Sequence, residues 1–223
     1  MTDTHTHILP GVDDGAADVA QSLAMLRASR AQGVDTVVLT PHFYPNRESL
    51  NGFLSRREAA FEVLQAAVGP KLPRLLLGAE VAWFPGIEHM EDIHRLTIGN
   101  TPYLLLELPY QAWTQEHLDS VWALAEAGRV IPILAHVDRY LRLQKNGQFQ
   151  SLLALSLPMQ LSAGMFDGFF SRAKALRLLA QGQWMIGSDC HNMTNRAPCM
   201  ALAKQYLQRR APERMAALNW KFD

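Results

Sequence analysis

Seven short apolar runs alternate along this chain with longer stretches whose apolar residues recur at helical spacing. The runs cover about residues 3–7, 35–42, 74–81, 103–108, 130–136, 159–163 and 184–189. Their length and their Gly or Pro borders predict buried strands. Between them, residues 17–32 are rich in Ala and Leu, with Gly33 placed to cap the end. Residues 48–68 repeat the pattern until Gly69-Pro70 stops it. Thr114 predicts the N-cap of a helix that carries Glu116 and His117 in its first turn and closes at Gly128. Three more helices are predicted over 148–156, 169–181 and 198–209.

Strand followed by helix, repeated seven times, argues for a parallel sheet. The expected fold is α/β, a distorted (β/α)7 TIM-like barrel with one unit fewer than the usual eight. An open doubly wound sheet would gather its polar residues near one switch point. Here they come from six of the seven strand ends, which favours a ring. With no linker, repeat or low-complexity stretch, residues 1–223 are expected to form a single domain.

The polar residues at those ends carry the chemistry. They are His5, His7, Asp14, His42, Glu80, Glu107, His136, Asp189 and His191. His5 and His7 are two apart, so on a strand both rings point to one face and can share a cation. Five of the eight histidines lie at strand ends, whereas His89, His94 and His117 fall in helical or loop stretches. Mixed imidazole and carboxylate donors suit Mn, Fe or Zn better than a thiolate metal or an all-oxygen Ca or Mg cage. The set exceeds the roughly three to six ligands that one ion takes, so two or three ions are expected, with Glu80 placed to bridge. Such a centre supplies hydroxide near neutral pH and clamps both oxygens of a phosphoryl displacement.

Arg139 follows His136 by three residues and Arg196 follows His191 by five, on loops beyond the strand ends. A guanidinium there can grip a phosphate with two parallel hydrogen bonds. Arg47, five after His42, is a weaker candidate. Cys190 and Arg196 also match the bare Cys-x5-Arg spacing of thiol phosphatases. The intervening residues include no glycine, and Asp189 beside the thiol opposes a thiolate. Trp83, Phe84, Tyr110, Trp113 and Tyr140 lie beyond strand ends, where ordinary packing competes with walling a pocket for a phenyl ring.

Composition narrows the choice of partner. Basic and acidic residues balance at 21 each, which gives no nucleic-acid footprint, although a local basic pocket for a phosphate stays open. A hydrophobic content of 48% provides a core and removes disorder from consideration. Cys190 and Cys199 do not make a disulfide framework. No apolar run approaches the ~18 residues of a membrane span, and no signal-peptide pattern opens the chain. The expectation is a cytoplasmic enzyme without membrane insertion.

Taken together, these segments resemble the PHP (polymerase and histidinol phosphatase) superfamily, and within it the manganese-dependent protein tyrosine phosphatases of bacterial capsule and exopolysaccharide loci. The likeness rests on Asp3-Thr-His5-Thr-His7 through Val12-Asp13-Asp14-Gly15, Thr40-Pro-His42, Gly78-Ala-Glu80, Leu106-Glu107, Ala135-His136-Val-Asp-Arg139-Tyr140 and Ser188-Asp189-Cys-His191-Asn192 with Arg196. It implies a PHP-type barrel in which His5 and His7 bind one Mn2+ with Glu80 and Asp189. Glu80 would bridge to a second ion held by Glu107 and His136, and Asp14, His42 and His191 would complete a trinuclear centre. Arg139 and Arg196 would hold the phosphate, with Asp14 and His42 beside them among the catalytic residues. A metal-activated hydroxide would attack phosphorus without a phosphoenzyme. The implied substrate is phosphotyrosine on a protein, notably a membrane-associated tyrosine autokinase. The alternatives are a small phosphate ester such as histidinol phosphate, or a metal-stabilised partner of a kinase without catalysis. Ser162, where relatives often carry Asn or Thr, and the Phe43-Tyr-Pro-Asn-Arg47 loop depart from the pattern.

Overall fold

A computed structural model describes residues 1–144 and 147–222. Its chain order begins β1 (Thr2–Thr6), α1 (Val19–Ala31), β2 (Thr36–Leu39), β3 (His42–Phe43), α2 (Leu50–Ala67), β4 (Arg74–Leu77) and β5 (Glu80–Ala82). It continues with β6 (Tyr103–Glu107), α3 (Gln115–Glu126), β7 (Ile131–Leu134), α4 (Gln148–Ala154), β8 (Met159–Ser162), α5 (Phe169–Leu179), β9 (Trp184–Gly187) and α6 (Met200–Arg210). The helix starts follow capping chemistry. Asp18 accepts from the Gln21 amide at 2.8 Å, and Ser49 accepts from Gly52 at 3.2 Å. Short 3₁₀ turns over Ile87–His89, Ile93–Leu96 and Pro212–Leu218 had no periodic signature in the sequence.

Every strand pair is parallel, in two sheets ordered β1-β2-β4 and β3-β5-β6-β7-β8-β9. Two of the predicted strands are each divided, 35–42 at Thr40-Pro41 and 74–81 at Gly78-Ala79. Pro41 has no amide hydrogen for a ladder, and a side chain at Gly78 would press on Ile98 at 3.1 Å. At these breaks the chain leaves one sheet and enters the other. Backbone bonds bridge them, from Gly78 to Leu39 at 2.9 Å and from Glu80 to Pro41 at 3.0 Å. On the far side, β1 meets the end of β9 through His7 to Cys190 and Asp189 to His5, both 2.9 Å.

Period-two alternation sorts the strand side chains between two apolar clusters. Val37, Leu39, Leu104, Leu106, Leu134 and Ile186 join the larger one, with the helices. Val38, Leu105, Ile133 and Met185 join Ile98 and Phe222 in the smaller one. Both strand faces are thus covered, as parallel sheets require. The same alternation carries the inner face onward from Leu105 to Glu107, and from Met185 through Gly187 to Asp189. An apolar interior therefore turns into a polar mouth at the C-terminal ends of the strands.

Candidate metal centre

All nine strand-end residues converge at that mouth. Glu80 on β5 is the central carboxylate, almost fully buried. Its Oε2 lies 3.1 Å from His5 Nε2, 3.3 Å from His7 Nε2 and 3.0 Å from His42 Nδ1. Its Oε1 lies 2.8 Å from His136 Nε2, which also faces Glu107 at 3.5 Å. Asp189 Oδ1 lies 3.3 Å from His7 and 3.6 Å from His191. Asp14, the exposed member, stands 3.4 Å from His191 and 3.7 Å from His42.

Three overlapping groups present one ligand atom per residue within 4.8 Å of each other: His5, His7 and Glu80; His42, Glu80 and Glu107; and His7, Asp14, His42 and His191. His42 therefore stands in two groups. The resemblance had placed it only with Asp14 and His191.

Close backbone approach is needed for this geometry. A Cβ on Gly15 would fall 2.0 Å from the His7 carbonyl oxygen, and one on Gly187 would fall 2.7 Å from His5 Cβ. Among the described residues only His136, Ser156 and Asp189 are non-glycine residues with positive φ, at 28°, 55° and 53°. Two of the three belong to the centre, where the surroundings hold a strained backbone in place.

Two residues not predicted from the sequence orient the ligands. Asp13 Oδ2 accepts from His7 Nδ1 at 2.6 Å and from the His42 amide at 3.0 Å, while its Oδ1 accepts from Gly15 at 2.9 Å. Burial opposes charge on Asp13, but the His7 contact outweighs it and brings its pKa down to about 2. Gln160 Oε1 accepts from His5 Nδ1 at 3.2 Å and from the strained His136 amide at 2.6 Å. With their Nδ1 positions engaged, His5 and His7 turn Nε2 into the centre, 3.0 Å apart. The Asp13-Asp14 doublet and a lone Gln in an apolar strand were the only signals in the sequence.

Electrostatics and unsatisfied atoms both fit divalent cations. Burial disfavours charge on His7, yet Asp13, Asp189 and Glu80 raise its pKa well above the ordinary value. Burial also works against ionised Glu80, but His5, His136 and His42 hold it well down. Burial and the Glu80 charge push Glu107 up. Burial and the neighbouring His7 push His191 the other way, down to about 4. Where a site draws a proton onto His7 between carboxylates, it draws a cation for the same reason. Glu80 Oε2 and His42 Nδ1 lie 3.0 Å apart without the alignment of a hydrogen bond, and His191 Nε2 is buried without a hydrogen-bond partner, so lone pairs converge where ions would sit.

Arg139 and Arg196 both reach Asp189 Oδ2, Arg196 at 2.8 Å. They line one cavity of about 410 Å³ with Asp189 and Ser162. A second cavity, of about 550 Å³, is bounded by Glu107, Tyr110, His136, Arg139, Tyr140 and Arg142. Of the five aromatics, Tyr110 and Tyr140 thus wall a pocket. Trp113 is buried, Trp83 packs on His117 at 4.3 Å, and Phe84 packs on the core. Arg47 stacks on Tyr44 at 4.6 Å, and Tyr44 stacks on His42 at 5.1 Å. Cys190 is completely buried, and burial together with Asp3 pushes its thiol well up, which disfavours the thiolate.

The arrangement has known counterparts. The family model described as capsular polysaccharide synthesis, CpsB/CapC, matches residues 1–219. The tyrosine-protein phosphatase YwqE of Bacillus subtilis is 30% identical over 205 residues, covering 88% of this chain and 79% of its own. The tyrosine-protein phosphatase CpsB of Streptococcus pneumoniae is 29% identical over 238 residues, covering 96% of this chain and 94% of its own. A crystal structure from the YwqE and CpsB pair of metal-dependent tyrosine phosphatases superposes with a TM-score of 0.78 at 26% identity, covering 95% of this chain and 87% of its own.

Proposed function

The chain belongs to the capsular polysaccharide synthesis CpsB/CapC family, and from that membership we propose that it is a metal-dependent phosphatase of phosphotyrosine in proteins. Mn2+ is the proposed resident ion, in keeping with five imidazoles, four carboxylates and no thiolate in the centre. Residues 1–223 act as one catalytic domain, and the two parallel sheets act as one distorted (β/α)7 barrel. The contact between β1 and β9 supports that reading. The protein works in the cytoplasm on the phosphotyrosines of a tyrosine autokinase controlling capsule or exopolysaccharide synthesis.

In the proposed mechanism, His5, His7, Asp14, His42, Glu80, Glu107, His136, Asp189 and His191 would hold two or three ions, whose chemistry would be to supply hydroxide near neutral pH and offset charge on the phosphoryl group. Arg139 and Arg196 turn from Asp189 to the phosphate oxygens, orient phosphorus for in-line attack and stabilise the charge that builds up. The tyrosyl ring enters the cavity walled by Tyr110 and Tyr140. Buried Cys190 has no part, so no phosphoenzyme forms.

The observation that carries this reading is the division of labour on Asp189. One oxygen faces His7 and His191 while the other holds both arginines, so the phosphate grip is tethered to the metal floor. The test is turnover of a phosphotyrosyl peptide before and after chelation, beside histidinol phosphate. Chelation is expected to abolish turnover and Mn2+ to restore it. Turnover that survives chelation, or a preference for histidinol phosphate, overturns the proposal.

A further inference from the structure

The chain is neutral overall, yet its charges are segregated. From Gly168 to Ala211 it carries seven Lys and Arg residues against one carboxylate, Asp189. Asp189 is buried in the metal centre, so the outer surface of this segment is cationic, with Asp167 just before it. Helix α5 displays the consequence. Phe170, Lys174 and Arg177 share one outward stripe at i, i+4 and i+7, with Phe169 and Ala173 beside it. Ala175, Leu178 and Leu179 face the core instead.

Phe169 and Phe170 are 79% and 86% exposed, the most exposed large apolar side chains among the described residues, and pack edge to face at 5.5 Å. Two such rings in water are unfavourable unless something covers them. Helix α6 adds cations on another flank of α5, where Arg209 and Arg210 border a cavity of about 270 Å³ with Arg172 and Tyr206 and no acidic residue. The helix dipole favours cations in last turns, but it gives no reason for two phenyl rings exposed in a first turn.

We propose that this outward face of α5 docks on an anionic phospholipid bilayer. Lys and Arg near such a surface are drawn to its negative potential, and exposed Phe rings partition into the boundary between headgroups and acyl chains. The two exposed rings stand beside Lys174 and Arg177 on one outward face, and an anionic lipid surface takes up both, the cations at its headgroups and the rings below them. Attachment is peripheral, since no described helix is long and apolar enough to cross a membrane. Asp167 and Ser171, at the start of α5, line the same cavity as Arg139 and Arg196. Docking here therefore sets the phosphate grip beside the bilayer, within reach of tyrosines on a membrane-bound protein. Bilayer docking follows from surface chemistry alone, whereas the placement of the phosphate grip rests on the proposed phosphatase activity.

Vesicle co-sedimentation of the full chain tests it, with phosphatidylcholine alone and with phosphatidylcholine mixed with phosphatidylglycerol. Binding is expected only to the mixed vesicles and is expected to weaken with salt. The double variant Phe169→Ser/Phe170→Ser should lower the partition coefficient by about tenfold or more. Lys174→Gln/Arg177→Gln should lower it by about fivefold per cation. Both variants should keep wild-type turnover of a soluble phosphotyrosyl peptide, which also reports intact folding. Equal binding to both vesicle types, or binding that neither variant weakens, overturns the proposal. So does retention on poly-glutamate without vesicle binding, which would make the face a protein-docking surface.

Discussion

His5 and His7 are fully buried, whereas Arg139 and Arg196 keep 39% and 36% of their side chains exposed, and Asp189 touches both pairs. The histidine floor, drawn from β1, β3 and the ends of β1 and β7, is cross-linked by Glu80, Asp13 and Gln160. The arginine rim hangs from a single carboxylate oxygen. On the proposed reading, the buried floor would hold the ions, and the half-exposed rim would exchange Asp189 for a phosphate. The difference predicts that floor and rim substitutions fail in different observables.

The largest effect is expected from Glu80→Ala, which removes the carboxylate common to two ligand groups. Metal content measured by elemental analysis should fall, and turnover should fall to background with it. Retention of full metal content would show that floor residues do not act together. Arg139→Ala and Arg196→Ala should each lower kcat/KM by ~10²–10³-fold while metal content stays at the wild-type level. A parallel loss of metal would erase the distinction between floor and rim.

Below the floor, Asp3 is buried with Oδ1 bonded to the Ser188 amide and Oδ2 unpartnered. Burial raises its pKa from 3.8 to about 6 despite the Ser188 bonds. A carboxyl raised in the folded state stabilises fully below its unfolded pKa and loses that contribution as pH rises through the folded value. Metal-stripped wild type should therefore lose up to roughly 3 kcal/mol relative to Asp3→Asn between about pH 4 and 6. Denaturant titrations at several pH values measure this, and parallel pH profiles for the two proteins would refute it. Asp13→Asn should weaken metal affinity by about 10–100-fold, read by competition with a chelator. Unaltered affinity would reduce Asp13 to a loop contact. The smallest effect is expected for Cys190→Ala, whose kcat/KM should match wild type; an inactive variant would reinstate the thiol.

Much of the fold was legible because strand and helix periods are local. All six predicted helices form, and each predicted strand run contains strand, although Thr40-Pro41 and Gly78-Ala79 divide two of them. The nine strand-end residues were legible because each closes or follows an apolar run, and the structure brings them together. Asp13 and Gln160 were not, because their value lies in partners across the fold: His7 and His42 for Asp13, His5 and His136 for Gln160. The basic face was hidden by a net charge of zero, which sums over positions that folding separates.

By itself, the sequence determined the donor chemistry and the end of the strands at which it gathers. Period-two alternation is set by backbone geometry and needs no tertiary information. Only the tertiary structure decided that His42 serves two ligand groups, that Asp189 faces histidines with one oxygen and arginines with the other, and that α5 leaves two phenyl rings among cations. Those outcomes depend on strand register, sheet order and helix placement, which are fixed by contacts between residues far apart in the chain.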